Sequence, residues 1–388
     1  MRFVIASLTV LLGTMGSFAR ASDLPEGAAQ TDVRGVKSTQ AVTLVKVATE
    51  LDNPWGLTFL PGGDAIVTEI KGTMRIIKNG KASAPIKGVP AVAAAGQGGL
   101  LDVQAAPDFA TSKRLYFSFS EPRGGGTNGT SVASATLERD AAGARLENVK
   151  VIFQQKSSKD SALHFGGRIV FMPDGSMFIT LGERAMFKDE AQNPANHLGK
   201  LVRIMPDGSP YAGNPKLDGW APEVWSIGHR NMQGAAINPA DGKLWTIEHG
   251  AKGGDEINIP KVGHNYGWPI ITYGRDYSGA NIGEGTEKDG MEQPVYFWDP
   301  SIAPSSMIFY TGDKYPGWKG NIIVGALAGQ ALHRLTVDGD HVTGEEVLFK
   351  DMNFRFRNVV QGPDGYLYVI VDSPAPWGSV WRVAPKTK

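Results

Sequence analysis

The chain has 388 residues, with 39 lysine and arginine side chains and 39 aspartate and glutamate side chains, so its formal net charge is zero. This balance argues against a nucleic-acid-binding protein, which needs a basic face to neutralise phosphates. Hydrophobic residues make up 41% of the chain, too many for a disordered protein. The lack of cysteine excludes disulfides, thiolate catalysis and thiolate-bound metals. The 49 glycines and 24 prolines indicate many turns and short strands.

The first 21 residues have the pattern of a secretory signal peptide. Met1-Arg2 is a positive start, residues 3–19 are mostly apolar or small, and Ala19-Arg20-Ala21 fits a cleavage site. A membrane anchor is the alternative, but this apolar run is short and dilute beside the ~20 residues of a spanning helix. The sequence therefore predicts an exported, periplasmic protein without stable membrane insertion. We expect residues 22–40, which are polar and rich in Gly and Ala, to form a loose tail.

One pattern then recurs six times along the chain. An apolar strand ends in Pro-Asp-Gly or a related turn, and a second apolar strand follows, as in residues 169–175 before residues 177–180. Proline presets φ in the turn and glycine adopts positive φ, so each copy predicts a β-hairpin. The other copies begin at Trp55, Leu101, Ala235, Met307 and Val359.

Six hairpins predict an all-β fold, a six-bladed β-propeller with four-stranded antiparallel blades, over residues 41–388. We expect residues 41–47, a lone strand before the first hairpin, to pair with residues 379–383 and close the ring. Two separate β-domains are the alternative, but no linker interrupts the repeat. The longest rim segments fall between the third and fifth hairpins, where we expect a site.

The loops between predicted strands contain a candidate base and several cations. His164 precedes Gly166-Gly167, which permit close approach of a ligand, and Glu183 follows the next strand as a carboxylate that could orient the imidazole. A structural histidine at a strand end is the alternative. Arg230, Arg355 and Arg357 suit either the binding of carboxylates or salt bridges between blades.

Two further features have two interpretations each. Asp255-Glu256 suits Ca²⁺, which prefers oxygen ligands, or a solvated acidic turn. Trp298 suits stacking on a sugar or planar ligand, or packing in the core. The seven histidines show no zinc-binding spacing.

Taken in order, these loops resemble the soluble PQQ-dependent aldose (glucose) sugar dehydrogenases, a family of quinoprotein propellers. The resemblance extends from Asn53-Pro-Trp-Gly56 to Gly378-Ser-Val-Trp381. Its most specific segments are Gln97-Gly-Gly-Leu-Leu-Asp102, His164-Phe-Gly-Gly-Arg168, Gly228-His-Arg-Asn231, Asp255-Glu-Ile-Asn258, Asn265-Tyr-Gly-Trp-Pro269, Ala303-Pro-Ser-Ser306 and Arg355-Phe-Arg357.

The resemblance implies an enzyme that oxidises an aldose at C1 to the lactone. A general base removes the hydroxyl proton, hydride passes to Ca²⁺-bound PQQ, and an external acceptor takes the electrons. The implied catalytic residues are His164 as the base, Glu183 as its orienting carboxylate and Arg230 beside the quinone carbonyls. The implied partners are the sugar and the electron acceptor, and the protein is expected to be a monomer or a homodimer.

The resemblance also implies the groups that bind the cofactor and two Ca²⁺ ions. The implied cofactor-binding residues are Gln97, Arg230, Asn231, Tyr277, Trp298, Arg355 and Arg357. The implied metal ligands are the carbonyls of Gly250 and Ala251 for the ion at the cofactor, and Glu256 and the carbonyl of Tyr266 for a structural ion.

The chain departs from the glucose-specialised members of this family at several positions. Ala328 stands where those members have a lysine, His249 replaces a glutamine, and Arg184 and Lys188 replace neutral polar residues. These differences argue against narrow glucose specificity. A Ca²⁺-dependent propeller lactonase or esterase is the alternative enzyme, and a non-enzymatic carbohydrate-binding propeller is the alternative outside catalysis.

Overall fold

The computed structural model describes residues 33–386, so the predicted signal peptide lies outside the described residues. Regular structure in the described part is nearly all β-strand. The exceptions are one short helix, α1 (Phe109–Ser112), and two 3₁₀ turns at Lys188–Gln192 and Lys350–Met352. Between residues 33 and 386, no helix is long and apolar enough to cross a membrane.

The strands are short and follow one another closely along the chain. Two precede the first predicted hairpin, β1 (Arg34–Gly35) and β2 (Val42–Leu51). The next group is β3 (Pro54–Phe59), β4 (Ala65–Glu69), β5 (Thr73–Lys78), β6 (Lys81–Ala82), β7 (Leu100–Ala105), β8 (Arg114–Pro122), β9 (Asn128–Asp140), β10 (Gly143–Gln154), β11 (Gly166–Phe171), β12 (Met177–Leu181), β13 (Leu201–Ile204) and β14 (Val224–Ser226). The last group is β15 (Met232–Ile237), β16 (Leu244–Glu248), β17 (Asp255–Asn258), β18 (Tyr296–Trp298), β19 (Pro304–Phe309), β20 (Ile322–Ala326), β21 (Leu332–Asp338), β22 (His341–Leu348), β23 (Phe356–Gln361), β24 (Leu367–Val371) and β25 (Gly378–Pro385).

These strands form six antiparallel sheets, which confirms the predicted six-bladed β-propeller. Blades one to four are β3–β6, β7–β10, β11–β14 and β15–β18, each in sequence order. Blade five is β19–β22, with β1 added at its outer edge next to β22. Blade six is β23–β25, with β2 added at its outer edge next to β25. The first strand of each blade contacts the first strand of the next, and β23 of blade six contacts β3 of blade one, so the ring is closed.

The first two strands of every blade are a predicted hairpin. Gly175 and Gly365 have φ values of 84° and 80° in the turns that join β11 to β12 and β23 to β24, as the Pro-Asp-Gly pattern requires. The second hairpin differs from the prediction because α1 is inserted between β7 and β8.

Each pair of neighbouring blades shares one apolar core. Successive residues of a strand point to opposite faces, so Leu115 packs between blades one and two while Tyr116 packs between blades two and three. In the same way Leu244 packs against blade three and Trp245 against blade five. The alternation of apolar side chains therefore stabilises the whole ring.

The lone N-terminal strand closes the ring as predicted. β2 pairs antiparallel with β25, with Leu44 opposite Val383, so both ends of the chain contribute to blade six. The segment expected to be a loose tail is partly ordered. Arg34 and Gly35 pair in parallel with Gly344 and Glu345 of β22, and therefore cover the outer edge of blade five.

Arg168 ties several blades together near the axis of the ring. Its guanidinium donates to the carbonyls of Gln233 and Ser305 at 2.7 and 2.8 Å and forms an ion pair with Asp102 at 3.3 Å. It also lies 4.0 Å from the ring centre of Trp55. It also donates to the Arg357 carbonyl at 3.2 Å, so this one buried cation connects the inner strands of all six blades.

Candidate active site

A cavity of about 540 Å³ lies where the inner strands of the six blades begin. This volume is typical of a small-molecule site. Every blade contributes to its walls, and the polar or aromatic lining residues are Asn53, Trp55, Lys71, Gln97, Phe165, Asn231, Gln233, His249, Arg355, Arg357 and Asp372. Predicted cofactor contacts from blades two, four and six therefore meet in one place.

The candidate base lies next to this cavity, directly before the lining residues Phe165 and Gly166. Nδ1 of His164 is 2.7 Å from Oε2 of Glu183, and both side chains are buried. A carboxylate only accepts hydrogen bonds, so Nδ1 bears the proton and Nε2 of the neutral ring bears the lone pair. The predicted orienting contact between the two residues is therefore present.

The electrostatic surroundings of His164 favour a neutral imidazole. Burial has the largest effect and lowers its pKa below the ordinary histidine value, and the Glu183 carboxylate raises the pKa in opposition. The Arg230 and Arg184 charges lower it further. A neutral imidazole is the form that accepts a proton, so the surroundings suit a base.

The backbone of the base is held by a neighbouring blade. His164 has φ of 51°, in the left-handed region that non-glycine residues rarely adopt. Its N–H donates to Oε1 of Gln97 at 2.8 Å. The Oδ1 atom of Asn231 accepts the N–H of Gly166 at 3.1 Å, whereas its Nδ2 atom is buried without a partner. Gln97 and Asn231 thus hold the base loop on two sides.

The three predicted arginines differ in environment. The Arg357 side chain is 14% exposed and donates to Oδ2 of Asp372 at 3.1 Å, while the Arg355 side chain is 48% exposed and lies 3.7 Å from the same carboxylate. Arg230 donates from Nη1 to the carbonyl of His249 at 3.3 Å. The Nε atoms of Arg230 and Arg357 are buried without a partner. Buried donors without acceptors are rare in folded proteins. These two nitrogens are therefore available to acceptor atoms of a bound ligand or water.

Three of the four predicted metal ligands, Gly250, Glu256 and Tyr266, line a second, very small cavity beside the first. Its volume is about 10 Å³, enough for one water or ion. Its other lining residues include Arg230, Glu248 and His249, so His249 belongs to both cavities. Ala251 is buried next to Gly250 but packs against Trp268.

Two carboxylates lie close together at this small cavity. Glu248 and Glu256 are opposite each other in β16 and β17, and Nδ2 of Asn258 donates to both. Burial and the Glu248 charge raise the pKa of Glu256. A hard cation with oxygen ligands would relieve this repulsion. No group of three or more His, Asp or Glu side chains in residues 33–386 forms a metal site, so a cation here would depend on main-chain oxygens as well.

Two predicted pocket residues lie elsewhere. Trp298 is in β18, at the outer edge of blade four, where it packs in the core between blades four and five and donates to Glu345 at 2.9 Å. The core interpretation of Trp298 is therefore the right one. Tyr277 is 73% exposed in a turn closed by a bond from Asp276 N–H to the Ala280 carbonyl, and it does not line the cavity.

Several lining residues were not predicted from the sequence, and Trp55 and Asp372 are two of them. Trp55 forms part of the wall and contacts the guanidinium of Arg168. It is the second residue of β3, the position that Arg357 occupies in β23 of blade six. Asp372 directly follows β24, as Glu183 follows β12 by two residues. Both were therefore detectable as side chains at the same end of an inner hairpin.

Comparisons with known proteins agree with this geometry. The sequence profile of the family described as Glucose / Sorbosone dehydrogenase matches residues 51–380. An aldose sugar dehydrogenase of Escherichia coli is 43% identical over 343 residues, which cover 87% of this chain and 91% of that protein.

Solved structures show the same similarity. A soluble aldose sugar dehydrogenase from Escherichia coli, in the apo form, superposes with a TM-score of 0.85 at 42% identity, covering 89% of this chain and all of that one. The PQQ-bound form of an aldose sugar dehydrogenase from Streptomyces coelicolor has a TM-score of 0.74 at 27% identity, covering 90% of this chain and 99% of that one.

Proposed function

Because this chain belongs to the glucose/sorbosone dehydrogenase family, we propose that it is a PQQ-dependent aldose sugar dehydrogenase that oxidises the sugar at C1 to the lactone. The observation that supports this proposal best is the contact between His164 and Glu183 next to a cavity with unpartnered buried donors. A base and an anion-binding cavity are what sugar oxidation on a carboxylated quinone requires.

The residues around the cavity fit PQQ by their chemistry. PQQ, when bound, supplies an o-quinone that accepts a hydride, on a ring system with three carboxylates. Arg355 and Arg357 are the cations of this cavity that suit the carboxylates, and Gln97 and Asn231 add polar contacts. The free Nε donors of Arg230 and Arg357 and Nδ2 of Asn231 would gain acceptors. Tyr277 is outside this set because it is exposed.

The catalytic roles follow from the protonation state of His164. Its Nε2 atom takes the proton of the anomeric hydroxyl, and the Glu183 carboxylate stabilises the imidazolium that forms. Arg230 provides positive charge where an oxyanion develops, and its backbone is fixed because its N–H donates to Glu248 at 2.7 Å.

We place Ca²⁺ at the small cavity and beside the cofactor. The carbonyls of Gly250 and Ala251 would hold one ion, and Glu256 with the Tyr266 carbonyl would hold a structural one. The repulsion between Glu248 and Glu256 supports a cation there. An ion near a developing oxyanion acts as a Lewis acid.

Export, the electron acceptor and the range of substrates complete the proposal. The pattern of residues 1–21 supports export to the periplasm, which N-terminal sequencing of the mature protein tests. The reaction needs an external electron acceptor. Ala328, in place of a lysine, fits a broad range of aldoses rather than glucose alone.

Titration of cofactor-free protein tests the proposed function directly. Protein freed of PQQ and Ca²⁺ is mixed with each alone and with both, and reduction of an artificial dye by a panel of aldoses is followed. We expect activity only with both additions, together with a change in the PQQ absorption spectrum. Sugar oxidation by protein free of PQQ, or a spectrum that does not change, would contradict the proposal.

A further inference from the structure

Arg184 is a buried cation beside the candidate base, and the proposed mechanism gives it no role. The residue is 0% exposed. Its guanidinium donates from Nε to the carbonyl of Leu163 at 3.0 Å, and from Nη2 to Oδ1 of Asn128 at 2.6 Å and to the carbonyl of Ser161. All these acceptors are uncharged, and within residues 33–386 the guanidinium forms no ion pair. Burial of a charge without a charged partner costs free energy, which indicates that the residue has a function.

The contacts of Arg184 lie on both sides of His164 in the chain. Ser161 and Leu163 precede the histidine, and the ring of Phe165, directly after it, lies 3.7 Å from the guanidinium carbon. In return the hydroxyl of Ser161 donates to the backbone carbonyl of Arg184 at 3.0 Å. The segment 161–165 is thus held before and after the base.

This hold matters because the base has an unfavourable backbone conformation. His164 has φ of 51°, and a non-glycine residue keeps such a conformation only where its surroundings impose it. Glu183, the residue before Arg184, contacts the imidazole ring itself. Adjacent residues of one turn therefore restrain the ring and the backbone that bears it.

We propose that Arg184 is a positioning residue for His164, whose guanidinium fixes segment 161–165 so that the imidazole stays in contact with Glu183; this inference rests on the proposed function. The planar guanidinium suits the task because it directs several N–H donors in fixed directions and stacks on an aromatic ring. A lysine at this position would provide the charge without that geometry.

The charge of Arg184 also acts on the base, as the smallest of the effects on its pKa. Burial lowers the pKa of His164 most, Glu183 raises it, and Arg230 and Arg184 lower it further. His249, the other nearby titratable group, is neutral because burial lowers its pKa to about 3. Because Glu183 raises the pKa of His164 more than the Arg184 charge lowers it, loss of the contact with Glu183 should lower that pKa even where the charge is retained.

The test compares Arg184→Gln and Arg184→Lys with a matched control, Arg203→Gln. Arg203 is also buried, stacks on Tyr211 at 3.8 Å and pairs with Asp174 at 2.8 Å, but lies outside the site. The readouts are kcat per PQQ-loaded molecule, KM, the affinity for PQQ and the pKa of His164 from NMR titration of cofactor-free protein.

We expect Arg184→Gln to lower kcat by roughly 10- to 100-fold, because a small misplacement of a catalytic group has that effect. The affinity for PQQ should stay near wild type. Arg184→Lys keeps the charge but should loosen the contact with Glu183, so it should lower both kcat and the pKa of His164. Arg203→Gln should lower only the melting temperature.

Several results would overturn the inference. One is a normal kcat in PQQ-loaded Arg184→Gln. Another is a loss of kcat in Arg203→Gln as large as the loss in Arg184→Gln, and a third is a wild-type kcat in Arg184→Lys. If Arg184→Gln does not fold, Asn128→Ala removes one acceptor of the guanidinium, and an unchanged kcat there would equally contradict the proposal. The NMR titration needs neither PQQ nor sugar. An unchanged His164 pKa in Arg184→Lys therefore counts against this inference alone, whereas inactive wild-type protein counts against the proposed function.

Discussion

The Nδ1 atom of His164 lies 2.7 Å from Oε2 of Glu183, although the two residues belong to the entry and the exit of the same inner hairpin. β11 begins two residues after His164, at Gly166, and β12 ends two residues before Glu183, at Leu181. The hairpin therefore determines the distance between base and carboxylate, and mutations of the two residues should have related effects.

We predict that His164→Ala lowers kcat by ~10²–10⁴ while PQQ still binds, since a general base contributes about that much. Glu183→Gln should lower kcat less, because it removes orientation and not the base. Turnover per PQQ-loaded molecule measures both effects. Near-normal turnover in loaded His164→Ala would remove His164 from the mechanism and leave it a packed histidine.

The pH dependence of the reaction should follow the protonation of His164. The base acts only when neutral, and burial lowers its pKa, so kcat should keep its plateau below the usual histidine pKa of about 6.5 and decline only at lower pH. Glu183→Gln removes the group that raises this pKa, so its acid limb should move to still lower pH. A limb that moves to higher pH would show that another group titrates.

Arg357→Ala should weaken PQQ binding more than Arg355→Ala. Arg357 is buried and its Nε lacks an acceptor, so a carboxylate of PQQ gains more from it than from the more exposed Arg355, which solvent screens. Titration of each variant with PQQ, followed by absorbance, measures the difference. Because Arg357→Ala also leaves Asp372 buried without its partner, Arg357→Ala/Asp372→Asn serves as the control for stability. Equal affinities of the two single variants would be inconsistent with this arrangement.

Removal of Ca²⁺ should lower the melting temperature of the cofactor-free protein. An ion present at 100 times its Kd adds about 2.7 kcal/mol to the stability of the folded state. Glu256→Gln should abolish this effect, and it should also relieve the repulsion with Glu248 in the absence of the ion. Thermal unfolding with and without chelator tests both statements. A Ca²⁺ effect that persists in Glu256→Gln would place the ion elsewhere.

The fold could be predicted from the sequence because its signals are local. Pro-Asp-Gly turns and alternating apolar residues specify each hairpin, and Leu115 and Tyr116 show how one strand supplies two cores. The contact between His164 and Glu183 was also predictable, since both flank one hairpin.

Contacts between distant segments were harder to predict. Nothing near Trp298 in sequence shows that β22 would cover it through Glu345. The pairing of Arg34 with Gly344 likewise depends on an exposed strand edge that forms only after blade five has folded. Tyr277 was placed at the cavity by resemblance alone, and a turn of this chain directs it to solvent.

The pairing of β2 with β25 determines when blade six can be completed as the chain is synthesised. β2 is synthesised before any blade, and its partner β25 is synthesised after the strands of the other five sheets. Blade six therefore cannot be completed until β25 has been made, and a chain that stops short of Gly378 leaves β2 without its partner strand. Completion of the polypeptide thus becomes a condition for the closed, stable state, and prematurely terminated chains should remain recognisable to proteases.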